Sequence, residues 1–146
     1  MINRLMKINL RVRSMERAKR LMTELLGGEV VYDRGSDTLG DYESCTFKVA
    51  DVTFDVLTPA SGESDLAKAI EKYGEGIDSI CLAVDDVDAL KGRLNSKDVR
   101  FTYEAEYQGH NIAFVHPRDV CGVRIEFMDG PMANARVSAP GEGEFS

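Results

Sequence analysis

Ile8, Leu10 and Val12 alternate with Lys7, Asn9 and Arg11, a period of two that predicts a strand with one apolar and one polar face. Ser14 then stands at an N-cap position and Glu16 falls in a first helical turn. Met15, Ala18, Leu21, Met22 and Leu25 recur at helical spacing until Gly27 and Gly28 break the pattern. Three further strands are predicted over 29–32, 44–49 and 52–57, with turns around Gly35 and Gly40 and at Ala50 and Asp51. Beyond Pro59, Leu66, Ala67, Ile70 and Tyr73 share one face of a short helix over 64–73 that closes at Gly74 and Gly76.

The pattern then starts again. Ile80, Leu82 and Val84 fall 72 positions after Ile8, Leu10 and Val12, Asp86 takes the capping place of Ser14, and Val87, Leu90 and Leu94 form a second helical stripe. Strands over 99–103, 111–115 and 123–128 complete the set, with Asp55 and Glu126 in equivalent final strands at an offset of 71. Tyr103 and Tyr107 flank acidic residues 104–106, read as a loop that could close over a ligand. From Gly130 on, Ala, Gly, Pro and Ser prevail without an apolar face, which reads as a mobile tail over 131–146. The expectation is one α+β domain over 1–130, made of two tandem βαβββ units at about 5–58 and 77–129 joined by the linker helix. Their curved mixed sheets are expected to form an open cup.

Strand parity says what lines that cup. Apolar residues of both first strands face the helices, so Lys7, Asn9 and Arg11 with Ser79, Cys81 and Ala83 line the other face. In the last strands Phe54, Val56, Ile125 and Phe127 face helices, while Thr53, Asp55, Arg124 and Glu126 point with Lys7 and Arg11. Ionisable groups of both signs on an inward face cost several kcal/mol each, roughly, unless paired, so the cluster marks either a site or a paired ion network.

Composition narrows the classes of partner. The 146 residues are 43% hydrophobic and 29% charged, ordinary for a globular chain. A net charge of -7 argues against nucleic acid and anionic membrane, and no run of about 18 apolar residues or signal-length apolar stretch occurs. Cys45, Cys81 and Cys121 are odd in number and widely spaced, which fits free thiols in a reducing cytoplasm rather than a disulfide framework.

The segments SDLAKAIEKYGEGIDSICLAVDDVDAL and NIAFVHPRDVCGVRIEF, with the order of elements from Lys7 to Met128, resemble the vicinal oxygen chelate superfamily of glyoxalases, bleomycin-resistance proteins and extradiol dioxygenases. The likeness is strongest to its methylmalonyl-CoA epimerase branch. The resemblance implies a glyoxalase fold, a homodimer, a small-molecule ligand and four metal-ligand positions, which here carry Lys7, Asp55, Ser79 and Glu126. Only Glu126 keeps the branch's residue, Asp55 is a shortened carboxylate, and both imidazoles are replaced. An ammonium group offers no lone pair near neutral pH, so no metal and no other cofactor is expected, and Lys7 takes the place of the cation.

The leading expectation is a metal-independent isomerase, epimerase or lyase for a small acidic or carbonyl compound. Glu126, Asp55 and Lys7 are its catalytic candidates, and Asn9, Arg11, Ser79, Cys81, Arg124 and His110 its substrate-binding ones. The alternative is a non-catalytic binder like the bleomycin-resistance proteins. A third reading keeps a metal on Glu126, Asp55 and His110, the last from a loop before the sixth strand. His116 is expected to order a turn rather than do chemistry, and Cys81 to act as a small buried hydrophobe rather than a nucleophile.

Overall fold

The computed structural model describes residues 1–35, 41–107 and 109–134. The expected turn at Gly40 and the tail from 135 lie outside them. Among the described residues, eight strands and four short helices make an α+β chain that falls into two compact units.

The first unit is Lys7–Asp78. It holds the C-terminal half of β1 (Ile2–Arg11), then α1 (Met15–Arg20), β2 (Glu29–Gly35), β3 (Tyr42–Val49), β4 (Val52–Pro59) and α2 (Asp65–Tyr73), with strand order β2-β3-β4-β1. Ser14 caps α1 as expected, its hydroxyl accepting from the Arg17 N–H at 3.2 Å. The helix then widens into a π-helical turn over Leu21–Leu25, where the Thr23 hydroxyl donates back to the Lys19 carbonyl at 2.7 Å. Ala18 and Met22 bury against Cys45, Phe47 and Val56, flanked by Leu10, Val12 and Phe54. The apolar parity therefore faces the helix, as the alternation predicts. β4 runs parallel to β1 and antiparallel to β3, which sets Asp55 between Asn9 and Thr46 on the opposite face.

The second unit is Met1–Met6 with the residues from Ser79 onward. It contains the N-terminal half of β1 beside β5 (Gly76–Val84), then α3 (Val87–Asn95), β6 (Phe101–Tyr107), β7 (His110–Val115), β8 (Ile125–Met128) and α4 (Gly130–Asn134), in the order β5-β8-β7-β6. Asp86 caps α3 through the Ala89 N–H at 3.1 Å. Val87 and Leu90 bury against Ala113, Val115 and Phe127, with Leu82 and Ile125 beside them.

Three expectations are corrected. The first strand starts at Ile2, and Met6 is buried although Ile2 and Leu5 are exposed. Residues 104–106 are not a loop but the middle of β6, an edge strand paired only with β7 among the described residues. The tail opens as a helix, because Ala133 is buried against Met6, Cys81, Ala83, Ile112 and Met128, and Arg4 donates to its carbonyl at 2.8 Å. Among the described residues no helix is long and apolar enough to cross a membrane.

Candidate functional site

In the first unit the polar parity of β1 meets a carboxylate. Parallel pairing sets Asn9 opposite Asp55, and Lys7, two residues earlier on the same face, reaches Asp55 Oδ2 with its Nζ at 2.9 Å. Antiparallel pairing brings Thr46 from the other side, its hydroxyl donating to Asp55 Oδ1 at 3.2 Å. Asp55 is 5% exposed and Asn9 2%. Thr46 was not singled out by sequence reasoning, since its place depends on the register of a hairpin.

Arg11 shares the strand parity but works elsewhere. Its guanidinium donates to the Gly74 carbonyl at 2.9 Å and the Ile77 carbonyl at 2.7 Å, with Asp78 at 3.7 Å and the Tyr73 ring beneath it. These contacts fasten the end of α2 to the strand, so the structure gives this candidate an evident positioning task.

In the second unit β5 and β8 run parallel with Cys81 opposite Glu126, and β7 and β8 antiparallel with Phe114 opposite Glu126. Glu126 is buried at 6% exposure, and Ser79 is also buried. Arg124 stands two residues before Glu126, its guanidinium carbon 4.2 Å from the centre of the Phe114 ring. The polar face expected here is divided: Cys81 and Ala83 join the apolar cluster under α4, with the Cys81 thiol 3.9 Å from the Met6 sulfur. Cys45, on the helix side of the first unit, is equally unsuited to attack. Burial above all, then the Asp33 carboxylate, pushes its thiol up to about 11.

His110 is a strand residue, not a loop residue. It opens β7, buried, with Nδ1 3.0 Å from the Asp129 carbonyl. A carbonyl only accepts, so Nδ1 carries the proton. The ring lies so close to Gly130 that a Cβ there would come within 2.0 Å of Nδ1. His116 orders its turn as expected, accepting from the Arg118 N–H at 3.1 Å at the head of a short 3₁₀ turn.

An ammonium and a neutral hydroxyl are poor ligands for a divalent metal. Of the four positions that the resemblance assigns to ligands, Lys7 and Asp55 are joined in an ion pair, and Ser79 contributes a hydroxyl with no tendency to ionise. Among the described residues no three His, Cys, Asp or Glu side chains gather closely enough to hold an ion.

The family model of the Glyoxalase/Bleomycin resistance protein/Dioxygenase superfamily matches residues 2–127. The chain belongs to this superfamily. No curated protein matches the sequence. Among solved structures, this superfamily member is similar to methylmalonyl-CoA epimerase from Mycobacterium tuberculosis, at 26% identity and a TM-score of 0.78 over 88% of each chain. It is similar to a methylmalonyl-CoA epimerase in complex with methylmalonyl-CoA and ammonium, at 25% identity and a TM-score of 0.79 over 96% of this chain and 100% of that one. A Streptomyces coelicolor methylmalonyl-CoA epimerase variant in complex with 2-nitronate-propionyl-CoA shares the fold, at 24% identity and a TM-score of 0.80 over 89% and 99% of the two chains.

Proposed function

We propose that this superfamily member is an epimerase-like enzyme that moves a proton next to the carbonyl of a small acidic or carbonyl substrate, without a divalent metal. The observation that carries the reading is the ion pair of Lys7 and Asp55, 2.9 Å apart, at two positions the resemblance gives to metal ligands. A fixed ammonium opposes each further positive charge at contact distance by about 4 kcal/mol at an effective dielectric of about 20. The ammonium ion named with methylmalonyl-CoA in a similar epimerase is the same chemical group on which the Lys7 side chain ends.

Glu126 is the proton carrier in this reading. Asp55 has both carboxylate oxygens engaged, one by the Lys7 ammonium and one by the Thr46 hydroxyl. A Cα–H bond of the substrate breaks, its electron pair enters an enolate, and the proton passes to a Glu126 carboxylate oxygen. The acid returns a proton, or a deuteron acquired from solvent, to the original face of the enolate, or to the opposite face once the enolate has turned over, which inverts the carbon.

The test is incubation in deuterated buffer with methylmalonyl-CoA and a panel of oxo and hydroxy acids, with and without cobalt, following label exchange and epimerisation. Exchange without metal is expected, reduced about 100- to 10,000-fold by Glu126→Gln. Exchange that survives this substitution overturns the role of Glu126, and exchange that requires cobalt overturns metal independence. Tight binding of a panel compound without turnover favours a binding protein of the bleomycin-resistance kind.

A further inference from the structure

We infer that α4 is a displaceable cover, hinged at Gly130, over an apolar subsite that adjoins Glu126, and that this subsite takes an apolar group of a ligand when α4 swings away. The inference goes beyond the proposed reaction and holds whether or not Glu126 moves a proton.

The cover lies on the face that carries Glu126. Cys81 stands opposite Glu126 in the parallel pair, and Met128 follows Glu126 at the same parity. Both bury with Met6, Ala83 and Ile112 against Ala133 of α4. Phe114, opposite Glu126 on β7, borders the same apolar cluster. α3 packs on the other face of these strands, against Ala113, Val115 and Phe127. The acid and the covered surface are therefore continuous.

The surface under α4 is complete without it. Strands β5, β8 and β7 close their ladders with one another, so lifting α4 breaks no strand pairing. Met6, Met128 and Cys81 make the surface rich in sulfur, and such soft, adaptable side chains refill around apolar groups of different outline.

The hinge is marked by a change in how the chain is held. Asp129 is fixed to β7: its N–H donates to the Asn111 carbonyl at 3.1 Å, and its carbonyl accepts from His110 Nδ1 at 3.0 Å. Gly130 follows at a φ of +91°, a backbone conformation open to glycine and rarely to other residues. Beyond it, α4 is five residues long, too short to sustain itself in water. It is seated by the Ala133 methyl and by Arg4, which donates to the Ala133 carbonyl at 2.8 Å. A methyl is the smallest apolar anchor a side chain offers, so a larger apolar group that takes its place buries more surface.

The three cysteines report on this motion in the full chain. Cys121 is exposed, Cys81 lies under α4 and Cys45 under α1. Iodoacetamide labelling is followed thiol by thiol by peptide mass spectrometry in wild type, Ala133→Gly and Ala133→Gln. In wild type Cys81 is expected to label at least about 10-fold faster than Cys45, because α4 opens without global unfolding. Ala133→Gln, too long and too polar to seat, is expected to speed Cys81 about 10- to 100-fold and to leave Cys45 unchanged, with Ala133→Gly between. Binding of the apolar dye anilinonaphthalene sulfonate, read by fluorescence, is expected to tighten by the same factors in the same order, since both readouts follow the open fraction. Bound dye is expected to slow the labelling of Cys81.

Cys81 that labels no faster than Cys45 in wild type, or no faster in a folded Ala133→Gln than in wild type, would overturn the cover. Should Ala133→Gln fail to fold, Ala133→Gly carries the same comparison. Faster labelling of Cys81 with unchanged dye affinity, or bound dye that leaves Cys81 unprotected, would overturn the subsite.

Discussion

A carboxylate as deep as Asp55 is tolerable because an ammonium and a hydroxyl meet it, and this arrangement can be tested by removing one side of it. Lys7→Met leaves the charge of Asp55 without its ammonium and is expected to cost about 2–3 kcal/mol by urea denaturation. Adding Asp55→Leu is expected to restore most of that loss. A Lys7→Met protein as stable as wild type would mean the pair is already well solvated. That Lys7 and Asp55 share a face was legible in the sequence, because each strand's alternation states which residues lie opposite its apolar row. Thr46 and Phe114 were not legible, since each takes its place opposite a carboxylate residue through an antiparallel register that no single strand encodes. Arg11 was read to the right face, but its five donors found a better match in the carbonyls at the end of α2 than alternation can foresee.

At the scale of elements, one residue fastens three of them. Asp129, just past β8, accepts from the Val87 N–H at the start of α3 at 2.9 Å and from the Asn111 N–H in β7 at 2.8 Å, and its own N–H donates to the Asn111 carbonyl. Its carboxylate is buried, so Asp129→Ala strands these donors and is expected to cost about 3 kcal/mol, checked by chemical denaturation, with Asp129→Asn intermediate. Sequence reasoning missed it because Asp129 sits at the end of a strand pattern, where an acid reads as a turn residue. The caps were plain, since Ser14 and Asp86 each precede an apolar helical stripe. β6 was misread in part because it is an edge: Thr102, Glu104 and Glu106 are exposed, and polar residues that discourage pairing with other chains also erase the signal of a strand. The start of β1 was hidden for a different reason, its apolar residues falling on both parities, with Met6 buried and Leu5 exposed.

At the scale of the molecule, the repeat was readable from the sequence, whereas the division of the fold was not. The repeat breaks near residue 76, but the compact units exchange a piece of strand: Met1–Met6 belongs with the residues from Ser79 onward, and Met6 is buried in a core cluster with Cys81, Ala83, Ile112, Met128 and Ala133. Fragments 1–75 and 76–146 are therefore expected to behave unequally. The later one, lacking a strand and a core methionine, should give the amide spectrum of an unfolded chain until the earlier one is added. A well-dispersed spectrum from 76–146 alone would show that Met6 and its strand are dispensable. For anyone wishing to shuffle halves between relatives, the consequence is practical. The natural scissors line in the gene is not the seam in the protein, and a chimera joined at the linker inherits the first six residues of one parent inside the core of the other.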